Sequence, residues 1–216
     1  GASKDSYSIS ARFYRVTFTN VTLVLQFSIS RRGFLPHRGI CLWNERVYRG
    51  LANTRRPMIS GLMLTRTHIK DDAPSTATYS DCERYRYSLV RTWDPTGKRV
   101  LFVMLNPSTA TEVQNDPTVE RCERRARALG FGSFEVTNIF AWRDTDPRAM
   151  RAATDPVGPE NDAAILAGTA AADRIVCAWG THGAHLDRGP AVEALLRGTG
   201  RPLHHLGLTT DGHPKH

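Results

Sequence analysis

The sequence predicts an α/β domain, a three-layer sandwich built on a mostly parallel sheet, with an antiparallel hairpin at its start. Three observations carry this. Val100-Leu-Phe-Val-Met-Leu105 is an unbroken apolar run, the mark of a strand buried on both faces. Two further short runs, Phe134–Asn138 and Arg174–Trp179, alternate with segments of helical pattern, which implies βαβ units. Helix punctuation separates them: Asp116-Pro117 is an N-cap followed by proline at the first helical position, and Gly130 is a stop.

The elements follow in order. In the N-terminal third the strand-like run is Phe18 to Ile29, with Val21, Leu23, Leu25 and Phe27 alternating against their neighbours. Tyr85, Tyr87 and Leu89 alternate with Arg84, Arg86 and Ser88, which reads as a half-exposed strand. Asp94-Pro-Thr-Gly97 is a turn, since proline presets φ and glycine accepts a positive one. The strand at 100–105 comes next and is expected to pair with 85–89 as the hairpin. A helix over Pro117–Leu129 precedes the strand 134–138. A second helix opens at Pro159, with Ile165 and Leu166 on its inner face. The strand 174–179 ends at Gly180, a helix spans Pro190–Arg197, and Leu203–Leu208 is the last strand.

Charge divides the chain. It has 216 residues and a net charge of +8, and residues 1–62 hold ten basic and two acidic residues. The remainder, 63–216, holds 19 of each sign and is neutral. Residues 1–62 are therefore read as a basic extension, poorly ordered or foreign to the domain; a nucleic-acid arm and a transit peptide are the alternatives. Residues 63–216 are read as a single α/β domain, cut short at its C-terminal side because the sequence stops just after Gly212-His-Pro214. Cys41, Cys82, Cys122 and Cys177 form no C-x-x-C pair, which suits a reducing, cytoplasmic compartment. No apolar run is long enough to span a membrane, so no membrane partner is expected.

In a parallel sheet the strand ends at Asn106, Asn138, Gly180 and Thr209 open on one edge, where open α/β sheets bind ligands. Asn106-Pro-Ser-Thr109 either orients a water or ligand through the Asn106 amide, with the Ser108 and Thr109 hydroxyls as donors, or is a turn held by its asparagine. Asn138 either reads the edge of a planar ring or caps its strand. Asp144 follows closely enough to reach a shared pocket. His213 either holds a proton at the pocket or belongs to a polar tail. His182-x-x-His185 and His204-His205 lack carboxylate or cysteine partners at ligand spacing, so no metal is expected. There is no P-loop, no G-x-G-x-x-G after a strand and no G-x-S-x-G elbow, and no cofactor is expected.

The set Met104-Leu-Asn-Pro-Ser-Thr-Ala110, Asp116-Pro-Thr118, Thr137-Asn-Ile-Phe140, Asp155-Pro-Val-Gly-Pro159, Asn161-Asp162, Ala178-Trp-Gly180 and Gly212-His-Pro214 closely resembles the bacterial and phage domain-of-unknown-function family 1643 from about residue 63 onward. A more distant resemblance is to the uracil-DNA glycosylase superfamily. Its stations look like Leu105-Asn106-Pro107, Val136-Thr137-Asn138, Ala178-Trp179-Gly180 and His213-Pro214. That resemblance implies a glycosylase-like pocket that binds or hydrolyses a nucleobase-containing small molecule or DNA. Asn106 would position water, Asn138 would read the base, His213 would assist its departure, and Ser108, Thr109, Asp144 and Trp179 would line the site. The first loop carries Asn and no Asp, which resembles the weaker, mismatch-type members. The alternative is a non-catalytic nucleotide- or nucleic-acid-binding module.

Overall fold

Burial sorts the strands of the sheet. In the computed structural model the described residues are 63–216 and two strands nearer the N-terminus, Tyr14–Phe18 (β1) and Val21–Leu25 (β2). The larger part contains β3 (Met63–Lys70), β4 (Ala73–Ser80), β5 (Arg86–Thr92), β6 (Arg99–Met104), α1 (Pro117–Ala128), β7 (Ser133–Asn138), α2 (Pro147–Ala152), α3 (Asn161–Ala171), β8 (Arg174–Cys177), α4 (Arg188–Arg197) and β9 (Leu203–His205). The sheet runs β3-β4-β5-β7-β6-β8-β9. The wholly apolar β6 takes a central place, parallel to β7 on one side and β8 on the other, and β9 extends the parallel half.

Period-two alternation along β6 feeds two cores. Val100, Phe102 and Met104 pack with Val119, Cys122 and Ala126 of α1. Leu101, Val103 and Leu105 pack with Met150 of α2, Ile165 of α3, and Val192 and Leu196 of α4. Helices therefore cover both faces of the sheet. α1 follows the punctuation of its sequence: Asp116 caps the amides of Thr118 and Val119, and Gly130 takes φ +72° one residue past the Leu129 cap. Leu166, expected inside α3, is 38% exposed, whereas Ile165 is buried.

Several expectations are corrected. The sheet is mixed: β3–β4, β4–β5 and β5–β7 are antiparallel, as many pairings as the parallel half has. The expected hairpin between 85–89 and 100–105 does not form, because β7 lies between them. Backbone contact that only glycine permits explains this. A side chain on Gly132, at the start of β7, would stand 2.3 Å from Asp94 O and 2.7 Å from Gly97 Cα. The amides of Trp93 and Asp94 both donate to Gly132 O. The turn at 94–97 thus wraps the entry of β7 and carries β6 to its far side.

The hairpin at the start is instead β3–β4, with Asp71 at φ +54° in its turn. Its β4 face of Ala73, Ser75, Ala77 and Tyr79 is buried, but only Tyr79 is a bulky apolar signal. The last strand stops at His205 rather than Leu208, two residues before Gly207 at φ +131°. By contact the chain divides into Gly1–Arg55 and Arg56–His216. In the first unit β1 and β2 pair antiparallel with Phe18 opposite Val21, so the run expected as one strand over 18–29 contributes to a hairpin. Residues 26–29 lie outside the described residues. No helix among the described residues is long and apolar enough to cross a membrane.

Candidate functional site

Connections leaving β6 and β8 run in opposite directions. β6 passes through α1 on one face to β7, and β8 passes through α4 on the other face to β9. The gap between the carboxyl ends of β6 and β8 is therefore the topological switch point, where open α/β sheets form ligand crevices. A cavity of about 530 Å³ lies there. Asn106 and Ser108 line it from the segment after β6, Asp144 and Thr145 from the segment after β7, Trp179–His182 from the segment after β8, and Lys215 and His216 from the segment after β9.

Asn106 is oriented by its neighbours. Its Nδ2 donates to Asp144 O at 2.8 Å and to Pro107 O at 3.2 Å. Two carbonyls can be served only by the amide nitrogen, so Oδ1 is the atom left for a ligand or water proton. Asp144 is the one carboxylate side chain lining this cavity among the described residues, and its Oδ1 accepts from the Asp146 amide at 2.9 Å. Acceptors thus come from the β6 and β7 ends, and basic side chains, His182, Lys215 and His216, from the β8 and β9 ends. Burial pushes the His216 ring below the ordinary histidine range, against the opposing field of Asp116.

The Asn106–Asp116 loop is held from beneath by two arginines that the strand pattern does not reveal. Arg86 and Arg91 of β5 are 1% and 0% exposed. Arg86 Nη1 donates to Ala110 O at 2.7 Å. Arg91 donates to Thr111 O at 2.9 Å, to Glu112 O at 3.1 Å, to Asn115 Oδ1 at 2.8 Å and to Ser75 Oγ. Three successive main-chain carbonyls are thereby saturated by rigid guanidinium forks. Burial lowers Arg86 to about 10, leaving it charged at neutral pH. Tyr79 donates to Glu112 at 2.9 Å beside them, and burial pushes its phenol up to about 12. Plain alternation puts Arg86 on the same side as Ser88; it is instead inside, because a register shift opposite Thr78 and Tyr79, which pairs Ser88 with Thr78 but Arg86 with Tyr79, turns it to the side of Leu89 and Arg91.

Across the cavity, a 3-10 segment, Thr181–Asp187, follows Trp179. Side chains on Gly183 or Gly189 would come within 2.2 Å and 2.9 Å of the Trp179 indole, so both glycines are closed against that ring. Trp179 is 2% exposed and forms part of the cavity wall.

Asn106, Ser108, Asp144 and Trp179 share this cavity, and Thr109 lines an adjoining one with Ser108 and Asp144. Asn138 and His213 line neither. Asn138 is in phase with Phe134 and Val136, which sets its side chain on the α1 face, where its Oδ1 lies 3.5 Å from Arg86 Nη2. Its main-chain oxygen accepts from Asn161 Nδ2 at 2.9 Å. His213 closes a tight turn: its amide donates to Thr209 Oγ1 at 3.0 Å and its carbonyl accepts from Thr209 N at 2.8 Å. The cavity takes Lys215 and His216 instead, because Gly180 N donates to Pro214 O at 2.8 Å and brings the chain after Pro214 alongside. Sequence reasoning missed His182, Lys215 and His216; proximity to Gly180 and to Pro214 was the available signal. Among the described residues no cluster of three or more His, Cys, Asp or Glu is placed to hold a metal.

The chain is thus an α/β protein, with helices on both faces of a mixed seven-stranded sheet and a crevice at the carboxyl ends of its parallel strands. Residues 86–216 match the family described as protein of unknown function DUF1643, and the chain belongs to that family. No curated protein and no solved structure matches it.

Proposed function

We propose that the switch-point crevice binds a nucleobase-containing compound and hydrolyses its N-glycosidic bond, on a three-layer scaffold distantly like that of the uracil-DNA glycosylases. The observation that carries this reading is Asn106: its nitrogen is consumed by two carbonyls, and its Oδ1 is left at the crevice to hold a water. The water oxygen attacks the anomeric carbon, the carbon–nitrogen bond breaks, and the base leaves with the bonding pair. Asp144 is the carboxylate available to take the water's proton. His182, Lys215 and His216 supply donors for the developing base anion, the part first assigned to His213. Ser108 and Thr109 contact the sugar side, and Trp179 forms the apolar wall. Asn138 acts at one remove, tying the end of β7 to Arg86 and Asn161.

The test is release of free base from nucleosides, nucleotides and uracil-, mismatch- or modified-base DNA. Asn106→Ala is expected to lose about a hundredfold or more of the rate, the scale of a misplaced attacking water. Equal product formation by both proteins removes Asn106 from the mechanism. A carboxamide cannot itself take a proton, which favours a second reading, a non-catalytic nucleotide- or nucleic-acid-binding module. Saturable binding without any product selects it.

A further inference from the structure

Beside the crevice is a second concavity of about 770 Å³, lined by Glu83, Arg84, Thr109, Gln114, Trp142 and Arg143 and sharing Ser108, Asp144 and Thr145 with the first. We infer that it is an anion subsite that takes the phosphate of a nucleotide whose base lies in the crevice; this rests on the reading above.

Its lining carries two arginines against two acids, and the arginines are uncommitted. Arg84 and Arg143 form no ion pair with any carboxylate among the described residues. The Arg84 guanidinium lies 6.0 Å from the centre of the Trp142 ring and donates no hydrogen bond among the described residues. Arg143 spends one nitrogen on Glu83 O at 3.2 Å and rests 5.1 Å from the centre of the Tyr79 ring, while its buried Nε has no partner. Of the two acids at the rim, one is neutralised by a partner and the other also lines the crevice. Glu83 is paired with Arg66 at 2.6 Å, and Asp144 accepts from the Asp146 amide. The Ser108 and Thr109 hydroxyls add donors on the same side. Two guanidinium groups with free N–H vectors beside hydroxyl donors suit phosphate oxygens rather than a neutral ring. Trp142, edge-on to Tyr85 at 5.6 Å, adds an aromatic surface.

Geometry supplies the link. Asn106 and Ser108 are two residues apart, at most about 7 Å along the chain. That is the same order as the reach from an anomeric carbon to a 5′-phosphate. One ligand can therefore place its glycosidic bond at Asn106 and its phosphate beyond Ser108.

Calorimetric titration of the full chain with deoxyuridine, deoxyuridine 5′-monophosphate, inorganic phosphate and a deoxyuridine-containing single strand tests this. The monophosphate is expected to bind about tenfold or more tightly than the nucleoside, the scale of one charge-assisted contact. The Arg84→Gln and Arg143→Gln variants are expected to lose that gain and keep the nucleoside affinity. The Arg84 side chain makes no hydrogen bond among the described residues, and its main-chain bond to the Arg143 amide survives substitution, so its variant separates ligand loss from misfolding. Equal affinities for nucleoside and monophosphate overturn the subsite and leave the base pocket standing. Arginine-dependent binding of inorganic phosphate without nucleoside binding keeps the subsite and removes the base pocket. A monophosphate bound more tightly than the strand identifies a free nucleotide as the source, and the reverse identifies nucleic acid.

Discussion

The two rims of the crevice are built on opposite physical principles. The rim after β6, residues 107–116, is hung from charged side chains: Arg86 and Arg91 occupy the carbonyls of Ala110, Thr111 and Glu112. The rim after β8, Thr181–Asp187, receives no side-chain hydrogen bond on its own carbonyls among the described residues. It is held at its ends, by Gly180 N on Pro214 O and by Arg188 Nε on Ile139 O at 2.7 Å, and between them by glycines closed on an indole. A hydrogen-bonded rim fixes the direction of each peptide group. A packed rim fixes only position. The residue with the strictest orientation, Asn106, adjoins the first kind.

Breaking the first rim should cost the most. Arg91→Ala leaves three buried oxygens and the Asn115 side chain without their donor, and a loss of about 3–5 kcal/mol is expected. Chemical denaturation measures it, and a loss below about 1 kcal/mol would mean that the loop keeps its shape without the guanidinium. The second rim should yield less. Gly183→Ala drives a methyl to 2.2 Å from Trp179 Cδ1, and displacing the ring should cost about 1–3 kcal/mol. Its tryptophan fluorescence should change as well, whereas that of Arg91→Ala should change less.

The smallest effect sharpens the comparison by belonging to neither rim. Glu135 is buried, and burial raises its carboxyl above the ordinary range against the opposing pull of Arg99. A carboxyl raised in the folded state contributes stability below the unfolded value of 4.5 and loses it as pH rises through the folded one. Glu135→Gln is therefore expected to raise the Tm at pH 7, and the difference should shrink as pH falls toward 4.5. A Tm gap independent of pH would place the effect in packing rather than in charge.

The same contrast explains what was legible. α1 was readable to within a residue because its cap, its proline and its stop are local signals. The position of the crevice was readable because an all-apolar strand followed by Asn106-Pro107 marks a buried carboxyl end. Arg86 and Arg91 were not, since an arginine whose donors are consumed by a distant loop has the same local pattern as one facing water. The order β5-β7-β6 was also hidden, because it depends on Gly97 meeting Gly132 across 35 residues of sequence. That His216 rather than His213 lines the crevice was hidden too, because a motif gives spacing along the chain and not the turn that aims it.

Leu186 and Asp187 have φ of +54° and +51°, and neither is glycine. Left-handed backbone costs such residues about 1–2 kcal/mol each. The Thr181–Asp187 segment is thus bent against its own preference, and Leu186 is 63% exposed, so little apolar burial repays the bend. Breathing of this wall of the crevice should begin there, ahead of the rim that the arginines hold.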